Sequence, residues 1–210
     1  TENDLLAIFN SINEMVIEPY EDAVTDLPLM ENLPTAGKIV EENYYENVGV
    51  TEWKLSNGAT VVLKSTDFKV DEIRLAAFSP GGTSLADDDS YIPALTSSII
   101  TSLSGIGNFN NIELQKLLAG KRASVNASIA EITEGLRGVA SPKDIETFFQ
   151  LINLNFTSPR IDSTAFQSYI SRIQAMLQNK DANPENAFQD TIQVTLSQYH
   201  PRRMPWTEER

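Results

Sequence analysis

The stretch DEIRLAAFSPGGTSLADDDSYIPALTSSIITSLSG, Asp71 to Gly105, most narrows the folds open to this chain. Asp71–Ser79 reads as a strand, Pro80-Gly81-Gly82 breaks it, and Asp87-Asp88-Asp89 sits where a helix should begin. That helix carries Ile92, Leu95, Ile99 and Leu103 on one stripe and stops at Gly105. A strand feeding a helix through a tight turn implies a sheet with a helix packed on it. The helix is rich in hydroxyls, and from Ser90 to Ile112 the chain has no His, Asp, Glu or Cys.

The flanking segments extend the same plan. TEWKLS and ATVVLKS surround Asn57-Gly58, a pair that favours a type I′ hairpin because both central residues need positive φ. With Asp71–Ser79 they predict a three-stranded antiparallel start. Asn110 with Glu113 resembles a capping box for a short helix closed by Gly120. RASVNASIA alternates Ala123, Val125, Ala127 and Ile129 against polar partners, and LRGVA completes a second hairpin. Ser141-Pro142-Lys143-Asp144 opens a helix with the apolar face Ile145, Phe148, Phe149, Ile152 and Phe156. Two further helices follow, one through Phe166, Tyr169, Ile170, Ile173 and Leu177, the other starting at Asn183-Pro184. The sum is an α+β fold: a mainly antiparallel sheet with helices packed on one face.

Charge separates a leading segment from the rest. Residues 1–50 hold eleven of the 29 acids and one of the 16 bases, a net −10 that leaves −3 for residues 51–210. Residues 1–17 carry Leu5, Ile8, Phe9, Ile12 and Val16 at helical spacing and read as the last helix of a preceding domain. Residues 18–50, acidic and interrupted by prolines, read as an interdomain linker. Residues 51–200 form the main domain, and 201–210 start a linker to a following one.

Composition removes several chemistries. There is no cysteine, so disulfides, thiolate metal sites and cysteine nucleophiles are excluded. His200 is the one histidine, so any triad or zinc site within the chain would need that imidazole. No basic stripe suits nucleic acid, and no apolar run approaches the roughly 20 residues of a membrane span.

The remaining candidates have plain structural readings. Asp87-Asp88-Asp89 lacks calcium-loop spacing and suits a helix N-terminus, where the macrodipole favours acids. Pro80-Gly81-Gly82 has neither the GxGxxG nor the GxxxxGK pattern and is a turn. Ser97 and Ser98 lack the GxSxG setting and a local base. His200, in QYHPRR, has no placed carboxylate, and Arg202 and Arg203 complement a helix end.

The order LSNGATVVLK, DEIRLAAFSPGGTSL, helix, then KLLAGKRASVNASIAEITEGLRGVASPKDIETFFQLINLNFTSPRID resembles the M16 zinc metallopeptidases, the insulinase, pitrilysin and mitochondrial processing peptidase family. The resemblance covers residues 51–200 and implies the LuxS/processing-peptidase-like metallohydrolase fold. In that family an HxxEH helix supplies two zinc ligands and the base, and a later helix supplies a third ligand. Alignment on the glycine turn puts the ligand positions at Pro93 and Ser97 and the base at Thr96. The later helix, STAFQSYISRIQAMLQNK, has no carboxylate.

The resemblance therefore implies a non-catalytic half, with no catalytic or metal-binding residues and no cofactor in this fragment. Zinc is expected in the catalytic half of the parent, which is the same polypeptide or a partner subunit. The implied role is to help enclose peptide substrate in a chamber. The strand after Gly120, with Arg122, Ser124, Asn126 and Ser128, is the candidate peptide-binding strand. An exported, periplasmic parent is implied by family alone. The alternative is a non-catalytic binding or scaffold subunit with the same fold.

Overall fold

Backbone pairing divides six strands between two antiparallel sheets in the computed structural model, which describes residues 27–207 together with Leu6, Phe9 and Asn10. The first sheet joins β1 (Ile39–Tyr45), β2 (Val50–Leu55) and β3 (Thr60–Lys64) in the order β1-β2-β3. The second joins β4 (Ile73–Pro80), β5 (Ala123–Ile129) and β6 (Thr133–Ala140) in the order β4-β6-β5. Within residues 27–207, α1 (Tyr91–Ser104) and α2 (Asn111–Leu117) lie between β4 and β5, and α3 (Ile145–Thr157), α4 (Ser163–Gln178) and α5 (Pro184–Leu196) follow β6. The architecture is α+β with antiparallel sheets, as the alternation and capping signals predict.

Four expectations need correction. The third strand does not extend the Asn57-Gly58 hairpin: β4 pairs along its whole length with β6, from Ile73 opposite Ala140 to Pro80 opposite Thr133. The hairpin turn is not type I′, because Asn57 does not have positive φ. Gly58 N–H instead donates to Leu55 O at 2.9 Å, and Gly58 alone takes a left-handed φ of 87°, a type I turn with a glycine bulge.

The supposed linker 18–50 is partly structured. Residues 39–45 form β1, and Leu29 and Met30 pack against the core of Ile106, Leu151 and Leu154. Such short apolar stretches have no period for a sequence pattern to register. Of the helix expected over residues 4–17, Leu6, Phe9 and Asn10 are helical, and the rest lies outside the described residues.

The fourth correction concerns α3. Its buried residues are Thr147, Phe148, Leu151 and Leu154, whereas Phe149 and Phe156 are 61% and 67% exposed. The helix is apolar on most of its circumference, so hydrophobicity alone could not select the packed face. Sterics at the sheet select it. Phe148 lies over Gly138, where an added Cβ would come within 2.6 Å of its ring and 2.8 Å of Ser124 O. A glycine in β6 therefore makes the seat for the most deeply buried aromatic ring.

Helices α1 and α3 both pack on β5, and α3 also reaches β6. They cover the face carrying Val125, Leu136, Gly138 and Ala140. The other face, with Arg74, Ala76, Phe78, Ser124, Asn126, Arg137 and Val139, is exposed. Helix termini follow their local signals. Asn110 and Glu113 form a reciprocal capping box, and Asp162 and Asn183 accept N-cap bonds. Ser141 differs: its hydroxyl donates to Asp144 at 2.6 Å, and the segment opens as a 3-10 turn before α3 begins.

Candidate functional site

On α1 the hydroxyls of Thr96, Ser97 and Thr101 bond back to the helix itself. Thr96 Oγ1 donates to Ile92 O at 2.9 Å, Ser97 Oγ to Ala94 O at 2.8 Å, and Thr101 Oγ1 to Ser97 O at 2.9 Å. Such back-bonding satisfies a hydroxyl without a partner outside the helix. Pro93 is exposed. Pro93, Thr96 and Ser97 thus share one side of α1 as an exposed proline ring and two half-buried, self-bonded hydroxyls. None is ionisable, so the three cannot move a proton at neutral pH or hold a dication with anionic ligands.

The glycine turn before α1 is a clasp rather than an anion cradle. Gly81 N–H donates to Ile132 O at 2.9 Å, Thr83 N–H to Ala130 O at 2.9 Å, and Ser84 N–H to Glu131 O at 2.7 Å. Gly82 N–H points to Glu134 Oε2 at 3.3 Å. Each amide that could greet a phosphate is engaged with the β5–β6 turn. At Gly82, φ is +67° and an added Cβ would sit 2.2 Å from Ala130 O, so only glycine allows this approach.

Arg202 closes the same region from the other end of the chain. Its Nε donates to Asp88 at 2.7 Å, Nη1 to Thr83 O at 3.0 Å and Nη2 to Ala86 O at 2.7 Å. The guanidinium also lies 5.1 Å from the Tyr91 ring centroid. Asp87 accepts from Ser90 N–H at 2.7 Å, and the hydrogen bonding from Ser90 holds its carboxyl below the usual carboxylate range. Asp87 thus fixes the turn before α1 and Asp88 anchors the arginine, while the N-cap residue of α1 is Ser90, which makes no side-chain cap bond. Residues 201–203, expected to begin a linker, form a 3-10 turn fastened to this loop.

His200 Nδ1 accepts the Arg202 N–H at 3.2 Å and so caps that turn. Tyr91 and Leu95, one turn apart on α1, line a cavity of about 320 Å³ with Ala130, Glu131, His200, Arg202 and Arg203. Pro93, Thr96 and Ser97 do not line it. Sequence reasoning missed this constellation because Arg202 and Tyr91 are far apart in the chain and no local pattern links them.

The strand predicted over Arg122–Ala130 spans Ala123–Ile129, and Arg122 lies just before it. Arg122 Nη1 pairs with Asp71 at 2.6 Å, and that guanidinium holds the Asp71 carboxyl below its ordinary range. Its N–H donates to Asp144 at 2.9 Å, so Arg122 belongs to a surface network rather than a binding face. Ser124, Asn126 and Ser128 share the face of β5 turned away from α1 and α3.

β5 is an edge strand. Arg122 O accepts from Ser141 N–H at 2.7 Å and Ala130 N–H donates to Thr133 O at 2.8 Å, so even-numbered residues direct their backbone groups to β6. Ala123, Val125, Ala127 and Ile129 consequently direct theirs to the open edge. No backbone bond to them from another segment occurs among the described residues. Among the described residues there is also no cluster of three or more His, Cys, Asp or Glu able to hold a metal ion, and no helix long and apolar enough to cross a membrane.

No family profile matches the chain. It is 35% identical over 111 residues to a zinc protease PQQL-like protein of Arabidopsis thaliana, a match covering 52% of this chain and 12% of the relative. It is 23% identical over 166 residues to the probable zinc protease PqqL of Haemophilus influenzae, covering 77% of this chain and 17% of that protein. Among solved structures, the periplasmic protease PqqL from Escherichia coli superimposes with a TM-score of 0.75 at 20% identity, over 100% of this chain and 23% of its own. The ferredoxin protease FusC, solved as a mutant in complex with Arabidopsis ferredoxin, gives a TM-score of 0.74 at 18% identity, over 99% and 23%. The chain thus spans less than a quarter of the length of each of these proteins, and the matches relate it to the M16-like zinc peptidases.

Proposed function

We propose that this chain is a domain from the non-catalytic half of an M16-like zinc peptidase, where it helps enclose peptide substrate while the other half supplies the zinc. The carrying observation is the chemistry of two helices. By the resemblance, α1 and α4 correspond to the helices that carry the zinc ligands in family members, and neither holds a His, Asp, Glu or Cys. The self-bonded hydroxyls of Thr96 and Ser97 support the same reading.

Within this proposal residues 1–17 close a preceding domain and a short connector follows. The domain itself takes in β1, so it begins before residue 51. Peptide is held along β5 by backbone hydrogen bonding, with Ser124, Asn126 and Ser128 beside it. The partner is the catalytic half, in the same polypeptide or a separate subunit, and the parent is exported to the periplasm like the Escherichia coli relative.

Calorimetric titration of the chain with Zn²⁺ tests the assignment. The expected result is no stoichiometric uptake at micromolar metal. Tight binding of one zinc per chain would overturn it. An HxxEH motif encoded upstream of Thr1 is the expected companion finding, and its absence from the parent polypeptide would move the catalytic half to a partner subunit.

A further inference from the structure

We infer that the open face of the second sheet selects acidic peptides, with Arg137 as the residue that reads an Asp or Glu side chain on a strand added to β5. This rests on the proposed strand addition and goes beyond it by naming the substrate chemistry. Arg137 sits on β6, the central strand, between Ala76 of β4 and Asn126 of β5. It is exposed and has no hydrogen-bond or ion-pair partner among the described residues. Arg74, the other cation of this face, is already paired with Glu72 at 2.6 Å. A free guanidinium thus stands in the middle of an uncovered sheet on a chain of net charge −13.

The geometry brings the two features together. Directly opposed residues of an antiparallel sheet project from the same face, so Arg137 and Asn126 rise side by side. A peptide paired to the free edge of β5 would lie two strand spacings, roughly 10 Å, from β6, with alternate side chains on that face. Asn126 is short and leaves the path from Arg137 to the added strand open. A carboxylate on the peptide opposite Asn126 then meets a planar donor suited to bidentate pairing, while Asn126 offers an amide beside it. A neutral amide there gains a weaker hydrogen bond from Arg137, without the charge pairing, and a basic side chain is repelled. The interaction is solvent-exposed, so it should weaken as salt rises.

The probe is a fluorescein-labelled eight-residue peptide of alternating Thr and Glu, compared with its Thr/Gln counterpart by anisotropy on the 210-residue chain. The expected result is binding of both, with the Glu peptide about tenfold tighter at low salt. Arg137→Gln should abolish that preference, weakening the Thr/Glu peptide by about tenfold and the Thr/Gln peptide much less. Ala127→Pro removes an edge-facing N–H without breaking the β6 ladder and should weaken both peptides. N-methylation of alternate amides in the peptide tests the same bonds without altering the protein. Equal affinity for the two peptides, or a preference that persists in Arg137→Gln, overturns the acidic selectivity while leaving strand addition standing. Failure of both peptides to bind, or insensitivity to N-methylation, overturns strand addition and the selectivity with it.

Discussion

Arg202 and Asp88, 114 residues apart in the chain, meet at 2.7 Å, and the same guanidinium also bonds the carbonyls of Thr83 and Ala86. The pair fastens the last turn of the described chain to the loop that starts α1. Their exposures differ, 24% for the Arg202 side chain and 65% for Asp88, so their contributions should differ too. Arg202→Met leaves two carbonyls and a carboxylate without their donor and should cost about 1–3 kcal/mol in urea unfolding. Asp88→Asn should cost less than about 1 kcal/mol, as for an exposed ion pair. Equal losses would show that the carbonyl bonds contribute little.

Two glycines separate backbone strain from steric overlap. Gly120 has φ of +78° with nothing within 4 Å of an added Cβ, so Gly120→Ala should cost only the conformational penalty, about 1 kcal/mol. Gly82→Ala adds overlap with Ala130 O at 2.2 Å to the same kind of penalty and should cost about 1–3 kcal/mol more. Equilibrium unfolding midpoints of the two variants, measured side by side, check the ordering.

On α3, neighbouring phenylalanines should respond in opposite ways. Phe148 is 1% exposed, and Phe148→Ala should cost about 3–5 kcal/mol. Phe149 meets it only edge-on, with ring centroids 6.0 Å apart, and Phe149→Ala should cost about 1 kcal/mol. Phe156→Ser should leave the unfolding midpoint nearly unchanged and reduce self-association in sedimentation, because it removes exposed apolar surface. A large loss of stability in Phe156→Ser would contradict the observed packing of the helix.

Acid should destabilise the domain through its capping carboxylates. Backbone bonding from Ala165 is the main influence holding the Asp162 carboxyl below its ordinary value of 3.8, with Thr164 and Arg160 adding to it. A folded-state value below the unfolded one means the stabilisation is complete above the unfolded value and is lost as pH falls through the folded value. The urea midpoint should therefore drop as pH is lowered below about 4. Asp162→Asn keeps an N-cap acceptor but does not titrate, so its midpoint should fall less steeply over that range.

Much of the local structure was legible because it is written in adjacent residues. Asn110 and Glu113 predict a reciprocal cap and form one. Gly105 and Asn183 mark a helix stop and a helix start where the chain places them. The absence of His, Asp, Glu and Cys from α1 is likewise a property of the sequence alone. Against this, the Asn57-Gly58 pair pointed to the wrong turn type, since Gly58 takes the left-handed conformation while Asn57 does not. β1 escaped notice because IVEENYY is acidic and has only mixed alternation, and β2 gives it a partner that the segment does not itself specify.

Periodicity, caps and glycines depend on contacts within a few residues, so the sequence alone specified the helices, the hairpins and the lack of His, Asp, Glu and Cys on α1. Which strand β4 joins, which side of α3 is buried and where Arg202 anchors depend on surfaces meeting across the fold. Only the tertiary structure decides those, because several pairings satisfy the same local pattern. Close packing then selects among them: Phe148 can be seated where Gly138 lacks a side chain, and the glycine turn can approach the β5–β6 turn because Gly82 has no Cβ.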